Sequence, residues 1–162
     1  MDRVTAAVAL GSNLGDRDAH LAFARLRLAK VLMDCRFSAV IETAPVDVPG
    51  AQTPFLNAAA VGETDLSARA LLDTLHAIEG ERGRERPHRN APRTLDLDLI
   101  LFGDVVLDEP GLIVPHPRFR GRAFVLEPLA EIAPDLVDPV TGKTIASLLD
   151  AYRRRPVPQT DD

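Results

Sequence analysis

Asp96 and Asp98 are the side chains of this sequence whose type and spacing most directly predict chemistry. Residues two positions apart on a β-strand project from the same face of the sheet, about 7 Å from each other. Two carboxylates held that close repel each other unless a cation lies between them. Oxygen ligands of this kind favour Mg²⁺, which keeps several waters and completes its shell with substrate phosphates. The pair therefore indicates a magnesium site, and a half-solvated strand face that carries acids is the alternative interpretation.

A cluster of basic residues lies directly upstream of the aspartates, in a polar stretch that prolines interrupt. Its members are Arg82, Arg84, Arg86, His88, Arg89 and Arg93. Guanidinium groups bind phosphate oxygens through paired hydrogen bonds, so carboxylates beside arginines are typical of a polyphosphate site. Phosphoryl-type transfer depends mostly on positioning and charge neutralisation, which such groups supply. Glu79 adds an acceptor near the cluster, and a salt bridge with Arg82 or Arg84 is the alternative role for it.

Two further motifs resemble sites without completing one. The stretch 11–16 begins like a phosphate-binding loop but lacks the Gly-Lys-Ser/Thr ending, so it is interpreted as a strand-end turn followed by a helix cap. His116 stands between two prolines ahead of Arg118, Arg120 and Arg122. Because it heads this second basic group, His116 is predicted to contact phosphate, and a structural histidine is the alternative. The other three histidines do not have the spacing of zinc ligands.

Composition limits the classes of protein that are compatible with the sequence. A chain of 162 residues suits one compact domain, predicted over residues 1–155 with a frayed tail at 156–162. The net charge of −5 disfavours a nucleic-acid partner, and no apolar run approaches the roughly 20 residues that span a bilayer. Residues 4–10 carry no cleavage site for a signal peptide, and the single Cys35 suits a reducing compartment. We therefore expect a cytoplasmic monomer.

The pattern of apolar residues predicts an α+β fold. Strands are expected at 4–10, 37–43, 55–61 and 94–102. One helix should begin near Asp16, with Ala22, Leu26, Ala29 and Met33 on one face, and a second should begin after Ser67. The order strand–helix–strand–strand–helix–strand is that of a ferredoxin-like βαββαβ core, in which helices cover one face of an antiparallel sheet. Additional C-terminal helices are expected at 121–132 and 144–152.

The fourth predicted strand fixes the direction of the two aspartates. Strict alternation places Leu95, Leu97, Leu99 and Leu101 on one face of the sheet. The other face carries Asp96, Asp98, Ile100 and Phe102. The leucines would then anchor the strand in the core and hold both carboxylates rigidly.

Several blocks of this sequence, in their order along the chain, resemble the 6-hydroxymethyl-7,8-dihydropterin pyrophosphokinases of folate synthesis. The most specific block is Pro92-Arg93-Thr94-Leu95-Asp96-Leu97-Asp98. The others are residues 9–16, 42–45, 55–59, 78–79, 83–86, 114–117 and 122–124, so the resemblance covers most of the chain.

The resemblance implies a reaction and a set of site residues. Such kinases move the pyrophosphoryl group of ATP to the pterin hydroxymethyl oxygen and release AMP, with two Mg²⁺ ions that Asp96 and Asp98 would hold. The catalytic residues implied are Arg84, Arg86, Arg93 and Asp98. The ATP-binding residues implied are His76, Glu79, Arg84, Arg93, Leu99, His116 and Arg122. The pterin-binding residues implied are Thr43, Pro45, Val46, Phe55, Asn57, Asp96 and Phe124.

Two other functions are compatible with parts of the pattern. A non-catalytic ferredoxin-like module could use its acids structurally, although here the acids and arginines converge on one stretch. A metal-dependent nuclease could use the two aspartates, but it needs a long basic surface, which the net charge disfavours.

Overall fold

An antiparallel sheet forms the centre of the fold, and helices cover both faces of that sheet. The computed structural model describes residues 3–13, 15–43, 54–83 and 95–155. The strands are β1 (Val4–Ser12), β2 (Met33–Phe37), β3 (Ile41–Thr43), β4 (Phe55–Thr64), β5 (Asp96–Phe102), β6 (Leu107–Glu109) and β7 (Leu112–Val114). The helices are α1 (Arg17–Val31), α2 (Ala68–Gly83), α3 (Ala123–Ile132) and α4 (Ile145–Arg154), with a 3₁₀ turn η1 (Phe119–Gly121) before α3. The predicted tail at 156–162 lies outside the described residues.

The main sheet has the strand order of a ferredoxin-like fold. Its order is β2-β4-β1-β5, and β1 pairs antiparallel with both β4 and β5. The sequence of elements β1-α1-β2-β4-α2-β5 confirms the predicted βαββαβ core. The predicted helix caps are also present, because the Asp16 carboxylate accepts from the amide of Ala19 and the Ser67 hydroxyl accepts from that of Ala70.

Two hydrophobic cores lie on opposite faces of this sheet. Helices α1 and α2 pack on one face around Leu10, Leu28 and Leu75. Helices α3 and α4 pack on the other face around Phe119 and Leu126. The additional C-terminal helices therefore close the face that the ferredoxin-like unit leaves open. Within the described ranges, no helix is long and apolar enough to cross a membrane.

The predicted strand at 37–43 is wrong in its bounds. The structure has two short strands there, β2 and β3, which pair in succession with β4. Ser38 lies in the break between them, and it exchanges hydrogen bonds with Ala59: its hydroxyl accepts from the Ala59 amide at 2.8 Å, and its own amide donates to the Ala59 carbonyl at 2.9 Å. The amide of Ala39 donates a hydrogen bond to the carboxylate of Glu131 on α3 instead of to a neighbouring strand. The Ser38 hydroxyl also donates to the carbonyl of the next residue, Ala39, at 2.8 Å, and such a local bond to the backbone competes with continuation of the strand.

The predicted buried face of α1 is also wrong. The buried residues are Leu21, Ala24 and Leu28, whereas Leu26 is 68% exposed. Met33 lies beyond the helix, in β2. The helix carries two apolar stripes, and the stripe that includes Leu26 faces solvent. The predicted face of α2, with Leu71, Leu72, Leu75 and Ile78, is confirmed as buried.

Strand β5 contains an irregularity that the alternating pattern did not predict. Val8 of β1 is opposite Leu99, but the next residue, Ala7, is opposite Leu101, so Ile100 is an extra residue. A β-bulge of this kind reverses the faces beyond it. Consequently Leu101 belongs to the core under α3 and α4, and Phe102 to the core under α1 and α2, which corrects the prediction for both residues. The predicted directions of Asp96 and Asp98 are unaffected.

Candidate active site

The register of three strands sets two rows of residues side by side on one face of the sheet. Gly11 of β1 lies between Asn57 of β4 and Asp96 of β5. One row along, Ala9 lies between Ala59 and Asp98. Side chains directly opposite each other on neighbouring strands point to the same side of the sheet. The two aspartates therefore stand beside a floor of small residues, where a flat molecule can reach the backbone.

The first cavity, of about 390 Å³, lies against β5. Helix α2 contributes Leu72, His76 and Glu79, which the helical repeat places on one face. The opposite wall comes from the β6–β7 hairpin and the segment that follows it, with Leu112, Ile113 and His116 among the lining residues. Asp96 and Asp98 close the cavity on the side of the sheet.

Glu79 connects α2 to the backbone between the two aspartates. Its carboxylate accepts a hydrogen bond from the amide of Leu97 at 2.7 Å. Leu97 is buried in the core under α1 and α2, so this contact joins the end of the helix to an already fixed residue. Hydrogen bonds to a charged acceptor are stronger than neutral ones. Glu79 therefore helps to define the distance between the helix and the carboxylates.

His116 enters the first cavity with a defined tautomer. Its Nδ1 accepts from the amide of Arg118 at 3.1 Å, so in the neutral imidazole the proton is on Nε2. Burial lowers the pKa of His116, the carboxylate of Asp98 opposes this, and the cations Arg122 and Arg118 lower the pKa further. A neutral Nε2–H group near Asp98 is a hydrogen-bond donor suited to a phosphate oxygen.

The second cavity, of about 360 Å³, lies over the small-residue floor. Ala9 and Gly11 form its base, and Asp96 and Asp98 again form one side. Its other lining residues include two aromatic rings, a buried amide and an arginine, namely Phe55, Phe124, Asn57 and Arg122. Aromatic faces above a small-residue floor favour a planar heterocycle.

The amide of Asn57 is fixed in orientation within this cavity. Its Nδ2 donates to the hydroxyl of Thr43 at 2.9 Å, and the side chain is only 7% exposed. Its Oδ1 faces Gly11, because a Cβ placed there would be 3.3 Å from that oxygen. The cavity therefore presents an acceptor beside its floor.

The donor set beside the cavities fits a magnesium ion that is shared with a phosphate. In the described part of the chain, no group of three or more His, Cys, Asp or Glu side chains could hold a metal by itself. Mg²⁺ is commonly bound through one or two carboxylates together with waters and substrate phosphates. Asp96 and Asp98 supply that number of carboxylates, and both border the two cavities.

Comparison with known proteins decides the family. The family model described as 7,8-dihydro-6-hydroxymethylpterin-pyrophosphokinase (HPPK) matches residues 7–134. This chain belongs to the HPPK family. It is therefore a transferase of folate biosynthesis, which moves pyrophosphate from ATP to hydroxymethyldihydropterin. The resemblance that the sequence motifs suggested is confirmed.

Individual relatives agree with the HPPK assignment. A 2-amino-4-hydroxy-6-hydroxymethyldihydropteridine pyrophosphokinase of Pseudomonas aeruginosa is 46% identical over 89% of this chain and 89% of its own length. The protein of the same name from a Synechocystis strain is 44% identical over 90% of this chain and 74% of its own length.

Solved structures show the same fold. The chain superimposes with a TM-score of 0.70 on an HPPK-DHPS crystallised in complex with substrates, and with 0.72 on a Plasmodium falciparum HPPK-DHPS triple mutant. The identities are 15% and 16%, so these likenesses concern the fold alone. Each superposition covers 93% of this chain, which spans 44% of the length of the solved chain.

The structure brings together, around the two cavities, those predicted site residues that it describes. His76, Glu79, Leu99 and His116 line the first, whereas Thr43, Phe55, Asn57 and Phe124 line the second. Arg122 was predicted with the ATP group but lines the second cavity. Five predicted site residues lie outside the described residues: Arg84, Arg86, Arg93, Pro45 and Val46.

Sequence reasoning missed the floor of the second cavity. Gly11 was assigned to a turn after β1, but β1 continues to Ser12 and Gly11 lies within it. A glycine inside a strand often marks a place where another molecule or backbone approaches closely. That signal was present in the sequence. No comparable feature of the sequence predicted that Leu112 and Ile113 of the β6–β7 hairpin would line the first cavity.

Proposed function

We propose that the two cavities divide the substrates of the HPPK reaction between them. ATP binds in the first cavity and 6-hydroxymethyl-7,8-dihydropterin in the second. The pterin hydroxymethyl oxygen attacks the β-phosphorus in line, its O–P bond forms as the bond between the α- and β-phosphates breaks, and AMP leaves with the alcohol proton released. The products are the pterin diphosphate and AMP.

The observation that carries this proposal is the shared wall between the cavities. Asp96 and Asp98 line both of them. A group that must be transferred from one substrate to the other has to pass this wall, where the negative charge requires a cation. Two Mg²⁺ ions held there would neutralise the phosphates and orient the reacting groups.

In the first cavity, the nucleotide would contact His76, Glu79 and Leu99. The neutral His116 donates from Nε2 to a phosphate oxygen. We propose that Arg84, Arg86 and Arg93 contact the phosphates as well, with Arg84 and Arg86 excluding water when the site closes. For these arginines the support is the sequence motif.

In the second cavity, the pterin ring would lie between Phe55 and Phe124. The fixed amide of Asn57 offers Oδ1 to an N–H group on the polar edge of the ring. Backbone and side chains at Thr43, Pro45 and Val46 are proposed to read the rest of that edge. Arg122 lines this cavity, and we expect it to contact the transferred phosphate from this side.

We further propose that residues 1–155 act as one domain, and as a monomer in the cytoplasm without nucleic-acid or membrane partners. The support is the continuous sheet with its two cores, the net charge of −5 and the single cysteine. Sedimentation of the purified protein tests the monomer, and a stable dimer would contradict it.

The test of the function is pterin-dependent formation of AMP. The protein is incubated with ATP, Mg²⁺ and the reduced hydroxymethylpterin, and AMP is quantified by chromatography. The control is 6-methyl-7,8-dihydropterin, which keeps the ring but lacks the attacking hydroxyl group. We expect AMP only with the hydroxymethyl compound. AMP at equal rates with both compounds, or with neither, would overturn the proposal.

A further inference from the structure

The middle arginine of the second basic group does not line either cavity. Arg120 instead makes a bidentate ion pair with Asp138: Nε donates to Oδ2 at 2.6 Å and Nη2 donates to Oδ1 at 3.0 Å. Asp138 is fully buried, and it lies beyond the region that the HPPK family model matches. The sequence pattern predicted phosphate contact for His116, which heads this basic group, and assigned no partner to Arg120.

Further hydrogen bonds fix the Asp138 carboxylate that binds this arginine. Its Oδ1 also accepts from the amide of Val140 at 3.0 Å, and its Oδ2 also accepts from the hydroxyl of Thr141 at 2.8 Å. Burial alone would raise the pKa of Asp138, but the hydrogen bonds from Arg120, Thr141 and Val140 outweigh it, so the pKa lies below the ordinary value. The carboxylate is therefore ionised and has two hydrogen bonds on each oxygen.

The backbone around Asp138 is itself closed into a tight unit. The amide of Asp138 donates to the carbonyl of Lys143, and the amide of Gly142 donates to the carbonyl of Asp138, both at 2.8 Å. The amide of Ile145, the first residue of α4, donates to the carbonyl of Leu136. The turn's own backbone bonds thus define the position of Asp138, and the ion pair fixes Arg120 relative to that turn.

Arg120 lies in a short segment that contributes to both cavities. His116, at the start of the segment, lines the first cavity, and Arg122, at its end, lines the second. Between them Phe119 is fully buried in the core under α3 and α4. The Arg120–Asp138 pair and Phe119 are the anchors that hold the middle of this segment against the C-terminal part of the fold.

We propose that Asp138 and Arg120 are positioning residues for pyrophosphoryl transfer. The ion pair fixes the segment 116–122, so that His116 and Arg122 keep their places in the two cavities at the same time. It also withdraws the charge of Arg120 from the phosphates and leaves Arg122 as the arginine of this group that faces the substrates. This inference rests on the proposed function, because it assumes that both cavities bind substrate.

The decisive variant is Asp138→Asn in the full-length protein. The amide keeps the size of the side chain but turns one acceptor into a donor that faces the guanidinium group. Misplacing groups that position substrates by about 1 Å costs up to ~10²-fold, so we expect KM to rise about tenfold for ATP and for the pterin, with a fall in kcat. The assay is run at a temperature where circular dichroism shows the variant fully folded.

The matched control is Asp150→Asn, which breaks the exposed pair between Asp150 and Arg154 on α4. It makes the same chemical change at an aspartate–arginine pair that touches neither the segment nor a cavity, and we expect wild-type KM and kcat. A purely structural role for Asp138 would lower the melting temperature but leave both KM values of the folded protein unchanged. Unchanged KM values in Asp138→Asn would overturn the inference.

Arg120→Lys keeps the inference testable if Asp138→Asn does not fold. A lysine keeps the charge next to Asp138 but cannot reproduce the bidentate geometry. We expect a smaller rise of both KM values, about threefold by the same argument, and wild-type values would again overturn the inference. The proposed function is judged separately, because it fails if the wild-type protein forms no pterin-dependent AMP.

Discussion

The first cavity is lined by His76, Glu79 and His116, whereas the second has Phe55 and Phe124 beside a floor of glycine and alanine. The difference follows from their places in the fold. The first lies between β5, helix α2 and the segment after the β6–β7 hairpin, so long polar side chains from separate elements converge in it. The second lies over the face of the sheet, so the sizes of residues on neighbouring strands decide its depth.

This difference shows how one pair of aspartates can serve two unlike substrates. A triphosphate needs donors and cations that point from several directions. A flat heterocycle needs a slot of the right thickness and a few fixed polar groups. With the substrates assigned as proposed, both requirements meet at the wall of Asp96 and Asp98, which line both cavities. Substitutions can test whether the two cavities are as separate as their construction indicates.

The largest effect is expected for Asp98→Asn, which alters the shared wall. Removing a carboxylate that holds a metal ion loses several kcal/mol of transition-state stabilisation, so pterin-dependent AMP formation should fall at least about a hundredfold. Asp98 is exposed, so the fold should be retained. The measurement is kcat at saturating ATP and pterin, with circular dichroism to check folding.

Asp104→Asn is the control for this substitution, because Asp104 is an exposed aspartate that lines neither cavity. It should leave turnover unchanged. Near-normal turnover of Asp98→Asn would contradict the shared-wall interpretation.

A smaller effect, confined to one cavity, is expected for Gly11→Ala. The new Cβ would be 3.3 Å from Asn57 Oδ1, and it would raise the floor beneath the pterin. Overpacking of a tight site commonly costs 1–3 kcal/mol, so the KM for the pterin should rise about tenfold while the KM for ATP stays unchanged.

Gly80→Ala serves as the matched control, since a Cβ at Gly80 would meet nothing within 4 Å among the residues that the structure describes. It should leave the pterin KM at its wild-type value. An equal rise of the ATP KM and the pterin KM in Gly11→Ala would show that the two cavities respond together, which would contradict their separation.

The two cavities also differ in how far the sequence predicts them. The alternation of Leu95 and Leu97 with the aspartates is local, so it predicts both the strand and the direction of the carboxylates. Which residues of other strands lie beside Asp96 depends on register, and a bulge such as Ile100 is not encoded in a period of two. The glycine itself is visible in the sequence, but its place between Asn57 and Asp96 became known only from the structure.

The two cores show the same limit. Helix α2 has a single apolar stripe, and its buried face could be predicted, whereas α1 has two stripes and Leu26 was assigned to the wrong one. The choice between stripes depends on which surface the sheet presents, and that is information from distant residues. The Arg120–Asp138 pair belongs to this class too, since nothing local in the sequence connects those positions.

The pH dependence of stability distinguishes the first cavity, because His116 lines it, whereas none of the described histidines lines the second cavity. The pKa values of His116 and His20 are both lowered, chiefly by burial. Below the unfolded pKa of about 6.5 the unfolded chain binds more protons than the folded one, so stability rises with pH across that window. We expect full stability above pH 7 and a decline as the pH falls through 6 toward the folded pKa values.

The measurement is the free energy of unfolding by denaturant at several pH values. His116→Asn and His20→Asn should each weaken the dependence of the unfolding free energy on pH. His116→Asn should do so without changing the KM for the pterin. The carboxylate of Asp138, whose pKa is lowered, acts only below about pH 4 and leaves this window untouched. An unchanged slope in both variants would refute the assignment to the histidines.

The smallest effect is expected for His76→Ala, which alters the wall that α2 contributes to the first cavity. His76 is exposed, so its contact with a nucleotide competes with water and should contribute little, in line with the roughly 0.5–1.5 kcal/mol of an ordinary hydrogen bond. The KM for ATP should rise about threefold, with kcat and the KM for the pterin unchanged. Because Leu72 and Glu79 on the same helical face remain in place, a large loss of kcat would mean that α2 is coupled to the aspartates through more than the contact from Glu79 to Leu97. A rise in the pterin KM would connect the two cavities through the wall that they share.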